Sequence, residues 1–548
     1  MPSQTSFVIL FLALWVTAQN CAIGPVSLPL INVTLSNGKS RRGVSLKVGS
    51  PQQEFAFLPK WDNNNTFLYG EKCDSLQLTK TDEACVTFRG GVYDDKSDSK
   101  GTLASTSVQP PPDLWSSKTY DVFAETLDLG GNNSLHAFPI ASPKDYKDWD
   151  TQGYDPQNII GMGTSSTFMD ACLKAGSIAS DSLGFYWGLD GVLDRDQMRG
   201  SFVLGGYDKA KTYGNGRTQQ LADRRDCPTR MIVSIKDILL NFSNGTDTSI
   251  FPKDNGGTLL SACIIPERPS LMDMPRTPYF DNLLEAIGNE EWSRSTGIDW
   301  WNVILNPSKP LFTGDLTFML DDGFQVKIPN HQLLVPERYI DNKGDLAVNS
   351  SQTVLRINSL QNTTAKVLPV LGRYFFTSTY VLLNRDASQF TLWQANPTSD
   401  ENLVPINKKN EAVSATQSCT VIPTTSLRPD SGGEQAGKQN GKGDGASNRS
   451  SGVSLSSVAV AGIVVGGVAA AGIGIGLLWW YLVRRRRRNA EVETEVPAVE
   501  EEREKRLTYK MPEVGWPSQG YPHFIPQEVS SQPMRSGPVE LPTGTEIR

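Results

Sequence analysis

Histidine is nearly missing from this chain: His136, His331 and His523 are the only three in 548 residues, and they lie far apart. Its seven cysteines form no Cys-x-x-Cys unit. These two absences argue against the common zinc sites, which need several nitrogen or sulfur ligands at close spacing. No metal or other cofactor is expected. A large net charge is missing too. Fifty-two basic against fifty-nine acidic side chains leave −7, which does not suggest nucleic acid as a partner.

Charge is absent from two runs as well. Phe7 to Val16 is apolar and of signal-peptide length, with no lysine or arginine before it. Cleavage after Ala18 or after Ala22 fits, the first better, so residues 1–18 are expected to be a signal peptide. Val458 to Val483 carries no charge and many glycines and alanines. As a helix it would reach about 39 Å, enough to span a bilayer core with tilt. Trp479, Trp480 and Tyr481 close it, and the five arginines Arg484 to Arg488 follow directly. A basic block after a span marks the cytoplasmic side. The expected topology is type I and single-pass, in the plasma membrane, with the N-terminal part outside.

Two one-sided distributions agree with this topology. The sequons at Asn32, Asn64, Asn132, Asn241, Asn244, Asn349, Asn362 and Asn448 all precede the span. So do all the cysteines, as an oxidising compartment would have it. Of the fifteen pairings open to Cys73, Cys85, Cys172, Cys227, Cys263 and Cys419, one is expected here: Cys73 with Cys85, which would close a short loop. Cleavage after Ala18 would leave Cys21 as an odd thiol.

What remains divides by composition. From about residue 23 to 422, short apolar runs alternate with Gly, Asn, Asp and Pro clusters, and the segment reads as mainly β. Thr119 to Leu129 before Gly130-Gly131-Asn132-Asn133 is one such run. Phe318 to Val326 predicts a hairpin around Asp322-Gly323. Ser166 to Lys174 and Tyr279 to Ile287 predict helices. Residues 423–457 are rich in Gly, Ser, Lys, Asn and Gln and predict a disordered stalk. Residues 484–548 predict a disordered cytoplasmic tail, a candidate docking site for a cytosolic partner.

Within 28–405 a set of ordered landmarks resembles the pepsin-like aspartic peptidase family. Val48-Gly49-Ser50-Pro51-Gln52-Gln53 leads a strand toward Lys60-Trp61-Asp62. Asn158-Ile159-Ile160-Gly161 is similar to the family's apolar-apolar-Gly segment, and Gly205-Gly206-Tyr207-Asp208 to its interlobe entry. Leu368 to Phe376 resembles the second apolar-apolar-Gly segment, with Arg373 where the family usually has aspartate. Tyr380 to Arg385 follows as the family's next strand would. The best register for the second motif is Cys263-Ile264-Ile265-Pro266-Glu267-Arg268. The resemblance implies a bilobal fold over residues 19–422, with lobes at about 23–205 and 206–422. The layout is also similar to fungal membrane-anchored members.

The same register removes the family's chemistry. Its enzymes need two carboxylates that share a proton and activate water. Lys60 fills one slot and Pro266 the other, so no catalytic residue is assigned. Asp62 lies two residues past its slot and Glu267 one past, offsets expected to misplace a carboxylate by several ångströms, where about 1 Å already matters. No flap tyrosine is assigned either, Tyr93 and Tyr120 included. The triplet Asp247-Thr248-Ser249 is a look-alike with no apolar strand leading into it. Three functions stay open: a pseudoprotease that binds an extracellular peptide or polysaccharide, an endopeptidase with displaced groups, and a structural surface glycoprotein.

Overall fold

Alternation writes the first strand. In Val26–Thr34 the side chains of Val26, Leu28, Leu30 and Val33 point inward, while exposed Pro29, Asn32 and Thr34 face out. Gln53–Lys60 differs, because its last six residues are all buried. It lies inside a sheet, between Ser40–Val48 (antiparallel, Val44 opposite Phe57) and Asn158–Gly161 (parallel, Lys60 opposite Gly161). A strand covered on both faces needs a continuous apolar run, and Phe55-Ala56-Phe57-Leu58-Pro59 supplies it.

The computed structural model describes residues 23–70, 81–94, 102–103, 120–131, 133–143, 157–253, 256–360 and 367–413. The chain divides into two units, Met1–Ser426 and Leu427–Arg548, and every described residue belongs to the first. The expected signal peptide, stalk, span and tail lie outside the described residues. Among the described residues no helix is long and apolar enough to cross a membrane.

The described region is mainly β, in several sheets. A 12-stranded sheet carries Val26–Thr34, Ser40–Val48, Gln53–Lys60 and Asn158–Gly161 along its path. Toward its other end Thr379–Asn384 pairs with Ser182–Tyr186 and with Gln389–Ala395, and Thr212–Gln220 forms the edge beyond. An eight-stranded sheet contains Ile232–Asn241, Leu260–Ile264, Val370–Leu371 and Met272–Pro275. A four-stranded sheet joins Leu334–Ile340 to Leu346–Leu355. One apolar cluster runs through both halves of the chain, from Leu28 and Phe57 to Phe375 and Leu392.

The hairpin around Asp322-Gly323 is present, with Phe318 opposite Val326 and Gly323 at φ +81°. The apolar run before Gly130-Gly131 is the strand Tyr120–Gly130, and it pairs with Asn133–Pro143 as a hairpin that the sequence reading did not name. Thr167–Lys174 is helical, and the Ser166 hydroxyl accepts from Met169 N at 3.1 Å as its N-cap. The later helix starts two residues after its expected point. A π-turn at Arg276–Phe280 precedes Asp281–Ala286. A helix at Asp82–Arg89 has no counterpart in the sequence reading. Its single apolar stripe is short, and caps at Thr81 and at Gly90 (φ +73°) hold it.

The cysteines pair beyond the one expected link. Cys227 and Cys263 are bonded and pin the strand Leu260–Ile264 to the segment entering Ile232–Asn241. Cys85 is disulfide-bonded, while Cys73 lies outside the described residues. Cys172, grouped with the disulfide candidates from sequence, is a free, buried thiol. Burial pushes it up to about 12, so it stays protonated and inert.

Candidate functional site

Two parallel strand pairs deliver the two motif segments to one place. In the first, Lys60 ends its strand opposite Gly161, and Met162 N donates to Lys60 O at 2.8 Å. The turn beyond packs directly on Gly161. A Cβ there would lie 2.6 Å from the Asn64 carbonyl carbon. In the second pair, Ile264 lies opposite Leu371, and Ile265 N donates to Leu371 O at 2.9 Å. Pro266 takes the second position of a turn closed by Arg268 N to Ile265 O at 3.1 Å, a position its fixed φ suits. Gly372 sits behind this turn as Gly161 sits behind the first: its Cβ would lie 2.8 Å from Arg268 O.

The turns meet across 206 residues of sequence. Trp61 N donates to Glu267 Oε1 at 3.3 Å. Lys60 Nζ lies 2.9 Å from Asp62 Oδ1, and the lysine side chain is only 8% exposed. The sequence offsets therefore do not carry the charged groups apart. The turn after Lys60 folds Asp62 back onto its amine, and Glu267 reaches across from the other turn. Trp61 seats the arrangement by packing edge-on against Phe185 at 5.2 Å. Arg373 Nη2 donates to Glu267 O at 2.8 Å and fixes the second turn from behind.

Burial, and then the neighbouring Asp62 carboxylate, push Glu267 up to about 8, against the opposing pull of Lys60. In acidic and neutral solution Glu267 is therefore a neutral acid. Its Oε2 is buried without a partner, as are both side-chain polar atoms of Asn63 on the facing turn. Such groups are rare in folded proteins. Chemically, the site is one lysine–aspartate ion pair beside one proton-bearing carboxyl.

The remaining sequence candidates scatter. Asn32 and Asn244 are exposed, while Asn64, Asn241 and Asn349 are part-buried. The Asn64 side chain is built into the first turn and accepts from Ser165 N at 2.9 Å. Asn132, Asn362 and Asn448 lie outside the described residues. Asp247–Ser249 is an exposed strand away from both turns. Tyr93 is buried and donates to Glu125 at 3.0 Å, and Tyr120 packs on Phe67. Sequence reasoning missed the buried charges nearby: Asp190, Asp299, Arg338 and Arg356. Arg338 binds Asp190 at 2.7 Å and Asp299 at 3.0 Å, and Arg356 binds Asp299 at 3.0 Å. Isolated charges at the ends of apolar runs form no motif. No protein-family model matches the chain, and no curated protein matches it as a relative.

Proposed function

We propose that this chain is a non-catalytic relative of the pepsin-like aspartic peptidases, a cell-surface pseudoprotease. In this reading residues 19–422 form a bilobal ectodomain on the stalk 423–457, anchored by the span 458–483. It binds an extended extracellular peptide or polysaccharide without cutting it. One observation carries the reading: a lysine amine sits 2.9 Å from Asp62, at the point where the two motif turns converge. A proteolytic dyad needs two carboxylates holding one water and one proton between them. Here the amine takes the charge of one carboxylate, and the other acid stays neutral. The paired glycines behind the turns, Gly161 and Gly372, support descent from that scaffold. The unpartnered polar atoms of Asn63 and Glu267 support a binding role.

A second reading has its own support. Asp62 raises Glu267 as one member of a carboxyl dyad raises the other, so a displaced-dyad endopeptidase is the rival. The test incubates detergent-solubilised full-length chain with denatured protein at about pH 3 to 6, near carboxylate pKa values. A transition-state peptide inhibitor is added to half the samples. No inhibitor-sensitive cleavage is expected. Cleavage that the inhibitor blocks and that Glu267→Gln abolishes would establish the rival. Peptide and polysaccharide arrays probed with the same protein then identify the ligand class, and a Lys60→Glu variant is expected to lose the signal.

A further inference from the structure

A cavity of about 210 Å³ opens beside the second turn, between the strand Ser40–Val48, the segment 187–197 and the strands Leu334–Ile340 and Leu346–Leu355. Four arginines line it: Arg41, Arg42, Arg338 and Arg373. Asp190 is the one carboxylate in the lining, and both its oxygens are committed. Oδ1 accepts from Arg338 Nη1 at 2.7 Å, and Oδ2 from Trp187 Nε1 at 3.0 Å. Asp299 is spent on Arg338 and Arg356. Two aspartates thus balance two arginines.

The other three guanidiniums make no direct ion pair, although Asp190 attracts Arg42, and more weakly Arg41, from farther away. Arg41 is 8% exposed, and its Nε donates to the neutral Gln157 at 3.0 Å. Arg42 donates only to the backbone oxygens of Trp187 and Met198, and its Nε is buried without a partner. Arg373 is 5% exposed. Its Nη2 serves Glu267 O, and its Nε is buried without a partner. Two of them pack on the Trp187 ring, Arg42 at 5.3 Å and Arg373 at 4.7 Å from its centre. Among the described residues no carboxylate pairs with any of the three.

Buried cations are costly unless they are paired. Two buried guanidiniums, Arg41 and Arg373, with the half-buried Arg42 beside one open cavity amount to a site prepared for negative charge. We propose that this cavity binds a small oxyanion, a carboxylate, phosphate or sulfate group, through Arg41, Arg42 and Arg373. The planar fork of arginine donors matches such groups. The shift of Arg41 agrees: burial, and then the Arg373 guanidinium, pull it down to about 10. The inference does not depend on whether the neighbouring Lys60–Glu267 site is catalytic.

The test is calorimetric titration of the detergent-solubilised full-length chain with sodium phosphate, sulfate and acetate in turn. Ionic strength is held constant with sodium chloride, and Trp187 emission is followed in parallel. Saturable binding of at least one anion is expected, and the arm that responds separates tetrahedral from planar ligands. Arg41→Gln should weaken that binding about tenfold or more, the loss of one charge-assisted contact. Val348→Glu places a carboxylate at the rim on a residue 43% exposed, leaves every arginine in place and should abolish binding. Absence of saturable binding in all three arms would overturn the proposal, as would binding unchanged in Val348→Glu.

Discussion

Glu267 concentrates the chemistry of this protein in one carboxyl. Its ordinary value of 4.5 rises to about 8 because the folded chain buries it beside Asp62. The folded state therefore holds a proton that the unfolded state releases between those values. Stability contributed by this group is full below about pH 4.5 and falls as the pH rises toward 8, by about 1.4 kcal/mol per unit. Glu267→Gln mimics the protonated acid and removes the dependence. The variant is expected to match the parent at pH 5 and to exceed it by a few kcal/mol at pH 9. Thermal unfolding midpoints of both proteins across that range check this. A parent whose midpoint holds level from pH 5 to 9 would contradict the assignment.

At the scale of elements, the site rests on two strand pairs with a glycine behind each turn. Their strands were legible because burial on both faces demands an unbroken apolar run, as in Phe55 to Pro59. The glycines were legible because an apolar-apolar-Gly segment repeats at Gly161 and Gly372. Helix Asp82–Arg89 was not legible, since its caps are local but its packing partners are distant: Thr81 Oγ1 donates to Asn342 O. Gly161→Ala would press a methyl against the Asn64 carbonyl, where the built Cβ lies 2.6 Å from its carbon. The expected loss is about 1–3 kcal/mol. Gly24→Ala, whose Cβ meets nothing within 4 Å, should stay within about 0.5 kcal/mol. Urea unfolding of both variants gives the comparison.

For the whole molecule, the binding element between the halves of the chain is ionic as well as apolar. Arg338 and Arg356 clamp Asp190 and Asp299 across up to 166 residues of sequence. Burial alone would raise these aspartates, but the two arginines overcome it and hold both below the usual carboxylate range. Their stabilisation is present above about pH 3.8 and is lost as the pH falls through their depressed folded values. Taken with Glu267, these groups place the most stable range near pH 4 to 5. Asp299→Asn strips a charge from a side chain with no exposure and leaves two buried guanidiniums short of an anion. It should cost about 3–5 kcal/mol, read as a lowered unfolding midpoint at pH 5.

The sequence by itself determined the β-rich character of residues 23–413, the hairpin at Gly323, and the presence of Lys60 and Pro266 where two motif segments end. These are local properties, set by side-chain periodicity, turn residues and fixed dihedrals. Only the tertiary structure decided that Asp62 folds back onto Lys60, that Glu267 lies against Trp61 N, and that three arginines face one cavity without a direct ion-pair partner. Each of those facts depends on distances between residues remote in sequence. The charge state of a buried group depends on what surrounds it in space.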